Sequence, residues 1–167
     1  MSSPKLRPRT SNVKTWADKF SLGIQKGTDD KYSFAYAISL PSGRVALVGR
    51  PKQREGYLQF QGNMPLGPEH IAFLKNMTPA QLERLSDEVN LEMARNRIGF
   101  MVMGAPFKGL LVTKTIPITS TLNEDSFIAS LDEIDSSMLL AREAIRLAFF
   151  HNGMKTPEAM LRPIVSQ

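Results

Sequence analysis

Between Asn123 and His151 the apolar residues Phe127, Leu131, Ile134, Met138, Ala141, Ile145 and Ala148 advance by four and three residues in alternation. That spacing keeps all of them on one face of a 3.6-residue helix, and Leu139 and Phe149 widen the stripe. At about 1.5 Å per residue such a helix runs roughly 43 Å. Asn123 is a suitable N-cap, with Glu124 and Asp125 placed favourably against the helix dipole. Asn152-Gly153 is a stop signal. A rod of this length and one-sidedness needs a broad apolar partner surface, and a sheet is the natural one.

The strands that could form that sheet are legible. Tyr32, Phe34, Tyr36, Ile38 and Leu40 alternate with Ser33, Ala35, Ala37 and Ser39, a clear period of two. Pro41-Ser42-Gly43 turns the chain, and Val45, Leu47 and Val48 return antiparallel between Arg44 and Arg50. A third strand runs from Tyr57 to about Gln61. Ile98 to Gly104 reads as a short central strand, and Leu110 to Ile118, rich in β-branched residues, as a fifth. Pro117 suits a strand exit. A first helix is expected from Ser11 or Asn12 on the spacing of Val13, Trp16, Ala17, Phe20 and Ile24, ending at Gly27. Gly62 to Pro68 reads as a link, with a short helix suggested after Pro68. Thr78-Pro79-Ala80-Gln81 is a capping box that opens a helix carrying Leu82, Leu85, Val89 and Met93 and ending at Asn96. The expected architecture is α+β: an antiparallel five-stranded sheet in the order α-β-β-β-α-β-β-α, helices packed on one face, and a long C-terminal helix. Residues 11–151 form the domain in this reading, between a basic N-terminal arm (1–10) and a C-terminal tail (152–167).

Composition narrows the function. The 167 residues include no cysteine and two histidines, His70 and His151. Thiol catalysis, cysteine-zinc and iron–sulfur sites are therefore excluded, and a histidine-built metal site lacks ligands. Asp132, Glu133 and Asp135 point in different directions on a helix and read as a solvated face. Asp29-Asp30 reads as a turn. Neither phosphate-binding glycine motif is present, and no nucleophile–base–acid set can be assembled. The expectation is a protein that is not an enzyme and uses no cofactor or metal. No apolar run is long enough to span a membrane and the first residues lack the apolar core of a secretory signal, so a cytoplasmic location is expected.

Twenty-one Lys+Arg against sixteen Asp+Glu leave a net charge of +5. Lys5, Arg7, Arg9 and Lys14 supply four positive charges in the first fourteen residues, with no negative charge among them. Arg44, Arg50, Lys52 and Arg54 gather around one strand and loop, with Lys26 and Lys31 as neighbours if the first helix packs nearby. Together Lys5, Arg7, Arg9, Arg44, Arg50, Lys52 and Arg54 form a candidate phosphate-binding set. A second candidate set faces proteins. Ser33, Ala35 and Ala37 are small enough to let another element approach, and Met101 and Met103 are adaptable contact residues.

The element order, the run Tyr32-Ser33-Phe34-Ala35-Tyr36-Ala37-Ile38 and the Phe127 to Ala148 stripe resemble the type III secretion chaperone-like fold over residues 11–151. Within that fold they resemble the YbjN-like domains of archaeal and bacterial proteins of unknown function. The resemblance implies a non-enzymatic protein that binds segments of client proteins, often as a homodimer. Secretion chaperones of this group tend to be acidic, whereas this chain is basic, which leaves a general protein-binding role. The expected partner is therefore a protein client or a second copy of the chain. The alternative is RNA or DNA in a nucleoprotein particle, held through the arm and the Arg44–Arg54 region.

Overall fold

The computed structural model describes residues 10–104, 107–119 and 121–154, with side chains of the first helix from Asn12 onward. Residues 1–9 of the expected N-terminal arm (1–10), with Lys5, Arg7 and Arg9, and residues 155–167 of the expected tail (152–167) lie outside the described residues. The elements are α1 (Thr10–Lys19), β1 (Ile24–Lys26), β2 (Tyr32–Ser39), β3 (Val45–Pro51), a 3-10 turn (Lys52–Arg54), β4 (Tyr57–Pro65), α2 (Pro68–Lys75), α3 (Pro79–Arg95), β5 (Phe100–Met103), β6 (Gly109–Pro117) and α4 (Glu124–His151). The strands form one six-stranded sheet in the order β1-β2-β3-β4-β6-β5. Neighbours run antiparallel wherever the pairing is resolved, as in β1–β2, β2–β3 and β5–β6.

The sheet has six strands and not five, and the order is α-β-β-β-β-α-α-β-β-α in place of the expected α-β-β-β-α-β-β-α, since α2 and α3 both fall between β4 and β5. The reason for the added strand lies at the end of α1. The apolar spacing through Phe20 and Ile24 suggests a helix continuing to Gly27, but the helix stops at Lys19. Ser21 takes a left-handed φ of 55°, and the Leu22 N–H closes the turn on the Ala17 carbonyl at 3.0 Å. Phe20 is left exposed. Gly23 then accepts from the Ser39 N–H at 2.8 Å. A Cβ on Gly23 would sit 3.1 Å from Ser39 Oγ, so glycine is what allows this close approach. Ile24, Gln25 and Lys26 thereby pair with Ile38, Ala37 and Tyr36 as an edge strand. A three-residue strand is too short to show a period, and helix and strand patterns share residues at that length.

Two further expectations are revised. β4 continues through Gly62 to Pro65, where a link was expected. The Met138 side chain of α4 occupies the space a Cβ on Gly62 would fill, so glycine here is a packing device and not a strand terminator. β5 lies at the sheet edge and not in its centre, because β6 inserts between β4 and β5. An apolar, glycine-flanked tetrapeptide reads as buried by composition, yet the burial of a strand is decided by its neighbours.

Contacts group the described residues into two compact units. One comprises the chain up to Gln61 together with Lys114–Asp135, and the other Gly62–Thr113 together with the residues from Ser136. In the first unit the core gathers around Phe127, which has no exposure. Its ring centroid is 5.4 Å from that of Trp16 and 5.8 Å from that of Phe60. Val13, Ala17, Ile38, Ala46 and Val48 are buried with them. In the second unit Leu85, Val89 and Met93 of α3 are buried, as their spacing predicts, and so are Leu110, Val112, Met138, Ile145 and Phe149.

The helix ends follow their local chemistry. The Thr78 side chain accepts from the Gln81 N–H while Gln81 Oε1 accepts from the Thr78 N–H at 2.8 Å, a complete capping box. Asn123 Oδ1 accepts from the Ser126 N–H at 2.9 Å, and Gly153 ends α4 with φ 98°. Among the described residues no helix is long and apolar enough to cross a membrane.

Candidate functional site

The basic cluster around β3 is largely neutralised. Arg44 Nε donates to Asp135 Oδ1 at 2.7 Å, and Ser42 Oγ donates to the same oxygen at 2.7 Å. Both partners of this ion pair are half-buried. Arg50 donates to the Glu55 carbonyl at 2.7 Å and to its carboxylate at 3.0 Å. Lys52 and Arg54 stand exposed in the 3-10 turn, which carries no acidic residue of its own. The Lys52 N–H donates to the Lys31 carbonyl at 2.9 Å, so Lys31 does come close, whereas Lys26 lies on β1, paired with Tyr36. The Lys31 N–H is itself turned onto Asp29 Oδ1. What survives is a small group of lysines and one arginine among carboxylates, not a continuous positive field.

The small-residue set on β2 does not form an open face. β2 is paired on both sides, by β1 and β3. Ser33 is exposed, but Ala35 is 3% exposed and Ala37 half-buried. Ala35 pairs with Gly49, and the register slips between Tyr32 and Phe34. That irregularity removes Tyr32 from the alternation that places it with Phe34 and Tyr36. Its ring instead lies beside Gly49, where an added Cβ would come within 2.6 Å of it. Its hydroxyl donates to Gln59 Oε1 at 3.1 Å. Burial, aided by the nearby Asp29 charge, pushes the Tyr32 phenol up in pKa. Tyr32 thus occupies space that the period-two pattern leaves to small residues. A β-bulge is not visible in a hydropathy pattern.

The methionine pair has a different fate. Met101 is 58% exposed and Val102 41% exposed on β5, the last strand of the sheet. Met103 is half-buried, with its Cε close to Gly109. On the inner side β5 pairs residue for residue with β6: Phe100 with Val112, Met101 with Leu111, Val102 with Leu110. The Thr113 N–H donates to the Gly99 carbonyl at 2.8 Å, so hydrogen-bonded positions fall at Gly99 and Met101. By antiparallel alternation Phe100 and Val102 turn their backbone groups outward. Both ends of the strand are positive. Arg97 is exposed on one side; on the other, Lys108 is exposed and its N–H donates to the Met103 carbonyl at 2.7 Å. No carboxylate occurs in the sequence between Met93 and Asn123. The opposite edge, β1, is three residues long and carries Gln25 and Lys26.

The two histidines are far apart in character. His70 is 1% exposed, set edge-on to Phe149 with ring centroids 4.7 Å apart. Neither ring nitrogen has a hydrogen-bond partner among the described residues. Burial pushes its pKa down, against a weaker upward pull from Glu69. His151 is exposed with Nδ1 3.6 Å from Glu88 Oε2. Glu88 also borders an open depression of about 440 Å³ lined by Ala80, Glu83, Arg84, Asp87 and Leu91. Among the described residues no group of three or more His, Asp or Glu side chains is arranged to hold a metal ion.

Residues 10–145 match the family described as "Uncharacterized conserved protein (DUF2299)", and the chain belongs to that family. Its fold is shared with a crystal structure of an uncharacterized protein from Methanothermobacter thermautotrophicus. That likeness has 18% sequence identity and a TM-score of 0.68, over 84% of this chain and 96% of the other. The fold is also similar to the solved structure titled "Crystal structure of YbjN, a putative transcription regulator from E. coli", at 12% identity and a TM-score of 0.50, over 84% and 94% of the two chains. No curated protein matches the sequence.

Proposed function

We propose that this member of the DUF2299 family is a non-catalytic binding module that takes up an extended segment of a client protein along the outer edge of β5. The observation that carries the reading is the contrast between the two edges of one sheet. Proteins shield a free edge with short strands, charges or proline, because its unpaired backbone groups invite another strand. Both edge strands are short, but β1 carries Lys26 whereas Phe100-Met101-Val102-Met103 of β5 has no charge and no proline. Strand addition would use the outward backbone groups of Phe100 and Val102 for affinity and the exposed Met101 and Val102 side chains for selection. Positive charge at both ends favours a client with apolar residues flanked by carboxylates.

The test is fluorescence anisotropy with a library of short alternating apolar peptides flanked by glutamate or by lysine. Glutamate-flanked members are expected to bind, and Val102→Pro, which removes an outward N–H, to weaken them at least about tenfold. Circular dichroism checks that the variant still folds, and Val102→Thr, which keeps the donor, is expected to bind. Equal binding of the two peptide classes, or binding untouched by Val102→Pro, would refute the reading. The RNA or DNA alternative is left with Lys31, Lys52 and Arg54 as its described contacts, since Arg44 and Arg50 are engaged with Asp135 and Glu55. It requires affinity that falls steeply with salt.

A further inference from the structure

The helix α4 has a second apolar face. Its first half follows the usual rule, with buried Phe127, Leu131 and Ile134 on one side and exposed Asp125, Asp132 and Glu133 on the other. In its second half the exposed side changes chemistry. Leu139, Leu140, Leu147 and Phe150 are 45, 42, 39 and 52% exposed. At 100° per residue they cluster about the direction opposite Met138, Ala141 and Ile145. Taken together they leave roughly 350 Å² of surface in one stripe, the size of the largest apolar patch on a typical single chain, which is often functional. Leu139 therefore does not widen the buried stripe, as its sequence position suggests. It belongs to this second one.

We propose that this stripe is a self-association surface, and that two copies of the chain pair their α4 helices antiparallel about a two-fold axis between Ala144 and Ile145. The argument rests on charge complementarity. Glu143 and Arg146 sit within the stripe and are paired to each other, Arg146 Nε to Glu143 Oε2 at 2.7 Å. An antiparallel copy in this register sets Glu143 opposite Arg146 of the second copy, twice over by symmetry. The same register sets Leu139 opposite Phe150 of the second copy, so the charged and apolar matches coincide. A parallel arrangement would oppose Glu143 to Glu143 and Arg146 to Arg146. Two stripes of this size bury roughly 700 Å², and with the flanking side chains the interface falls in the size class of a weak, concentration-dependent dimer. The resulting interface is isologous, as a two-fold demands. It is independent of the β5 edge, so either surface can fail its test without affecting the other.

The experiment is sedimentation equilibrium on the full chain across about 1 to 100 µM, which reads dissociation constants within that range. The wild type is expected to be a dimer in the upper part of that range. Leu147→Glu places a carboxylate within the stripe of each copy and is expected to weaken association at least about tenfold, with circular dichroism unchanged because Leu147 is not in the core. The decisive arm uses Glu143→Arg and Arg146→Glu as separate proteins. Each alone is expected to be monomeric, because each opposes like charges across the axis. Mixed in equal amounts they are expected to form a heterodimer, since the arginine pair of the first variant then faces the glutamate pair of the second. Both variants lack the intrahelical pair, so restored stability of the single chain cannot account for a recovery on mixing. A monomer throughout the range, a dimer indifferent to Leu147→Glu, or no heterodimer on mixing would each overturn the proposal. Binding of this face to a foreign helix, without self-association, would overturn it too.

Discussion

Replacing His70 by leucine should make the protein more stable, and more so as the pH falls. The wild-type imidazole is 1% exposed, packs edge-on against Phe149 and has no hydrogen-bond partner for either nitrogen among the described residues. A buried polar group left unpaired costs about 1–3 kcal/mol. Leucine is close to histidine in volume and carries no polar atom. Allowing for imperfect fit of the new side chain, a gain of about 1 kcal/mol is expected near neutral pH.

The pH term has a definite sign. Burial holds the folded-state pKa of His70 below its usual value of 6.5, with Glu69 opposing weakly. As the pH falls through that value the unfolded chain binds a proton that the folded chain resists. Stability is therefore fully present above the unfolded pKa and declines below it, levelling off once the folded pKa is passed. The advantage of His70→Leu should thus grow from about 1 kcal/mol near neutral pH as the pH is taken down through 6.5, with the curves for the two proteins diverging steadily on the acid side. The assay is urea unfolding of both proteins at each pH. Taking the difference between the two proteins cancels every contribution common to both. Parallel pH profiles would show that His70 is not kept neutral by its surroundings and would refute the reasoning.

Two other changes probe the packing that positions these surfaces. Phe127→Ala empties the site between Trp16 and Phe60 and should cost about 3–5 kcal/mol, read as a shift in the denaturation midpoint with an unchanged slope; a loss below about 1 kcal/mol would mean that the aromatic cluster is not a core element. Gly49→Ala brings a Cβ within 2.8 Å of the Phe34 carbonyl and 2.6 Å of the Tyr32 ring. It should destabilise by about 1–3 kcal/mol and expose the Tyr32 fluorophore to quenchers, whereas neutral substitution would show that the β2 irregularity is not rigid.

Wherever a long local pattern answers to a long element, the sequence by itself determined this protein. α4 starts at its Asn123 cap and stops at its glycine because the cap, the dipole and the four–three spacing act within a few residues of one another. The Thr78–Gln81 box opens α3 for the same reason. β2, β3 and β6 are legible because alternation persists over enough residues to separate strand from helix, and the absence of cysteine settled what chemistry the chain lacks. Tertiary structure decided everything that depends on which strand lies next to which. β1 exists because the chain leaves α1 at Ser21 and pairs with β2. β5 becomes an edge because β6 is inserted beside β4. Tyr32 leaves the alternation because the β2–β3 register shifts between Tyr32 and Phe34. Leu139, Leu140, Leu147 and Phe150 recur at helical spacing, so their coherence could be read from sequence; their exposure could not. A hydrophobic pattern records that a side chain favours burial, and only the arrangement of neighbours records whether anything in the same chain comes to bury it.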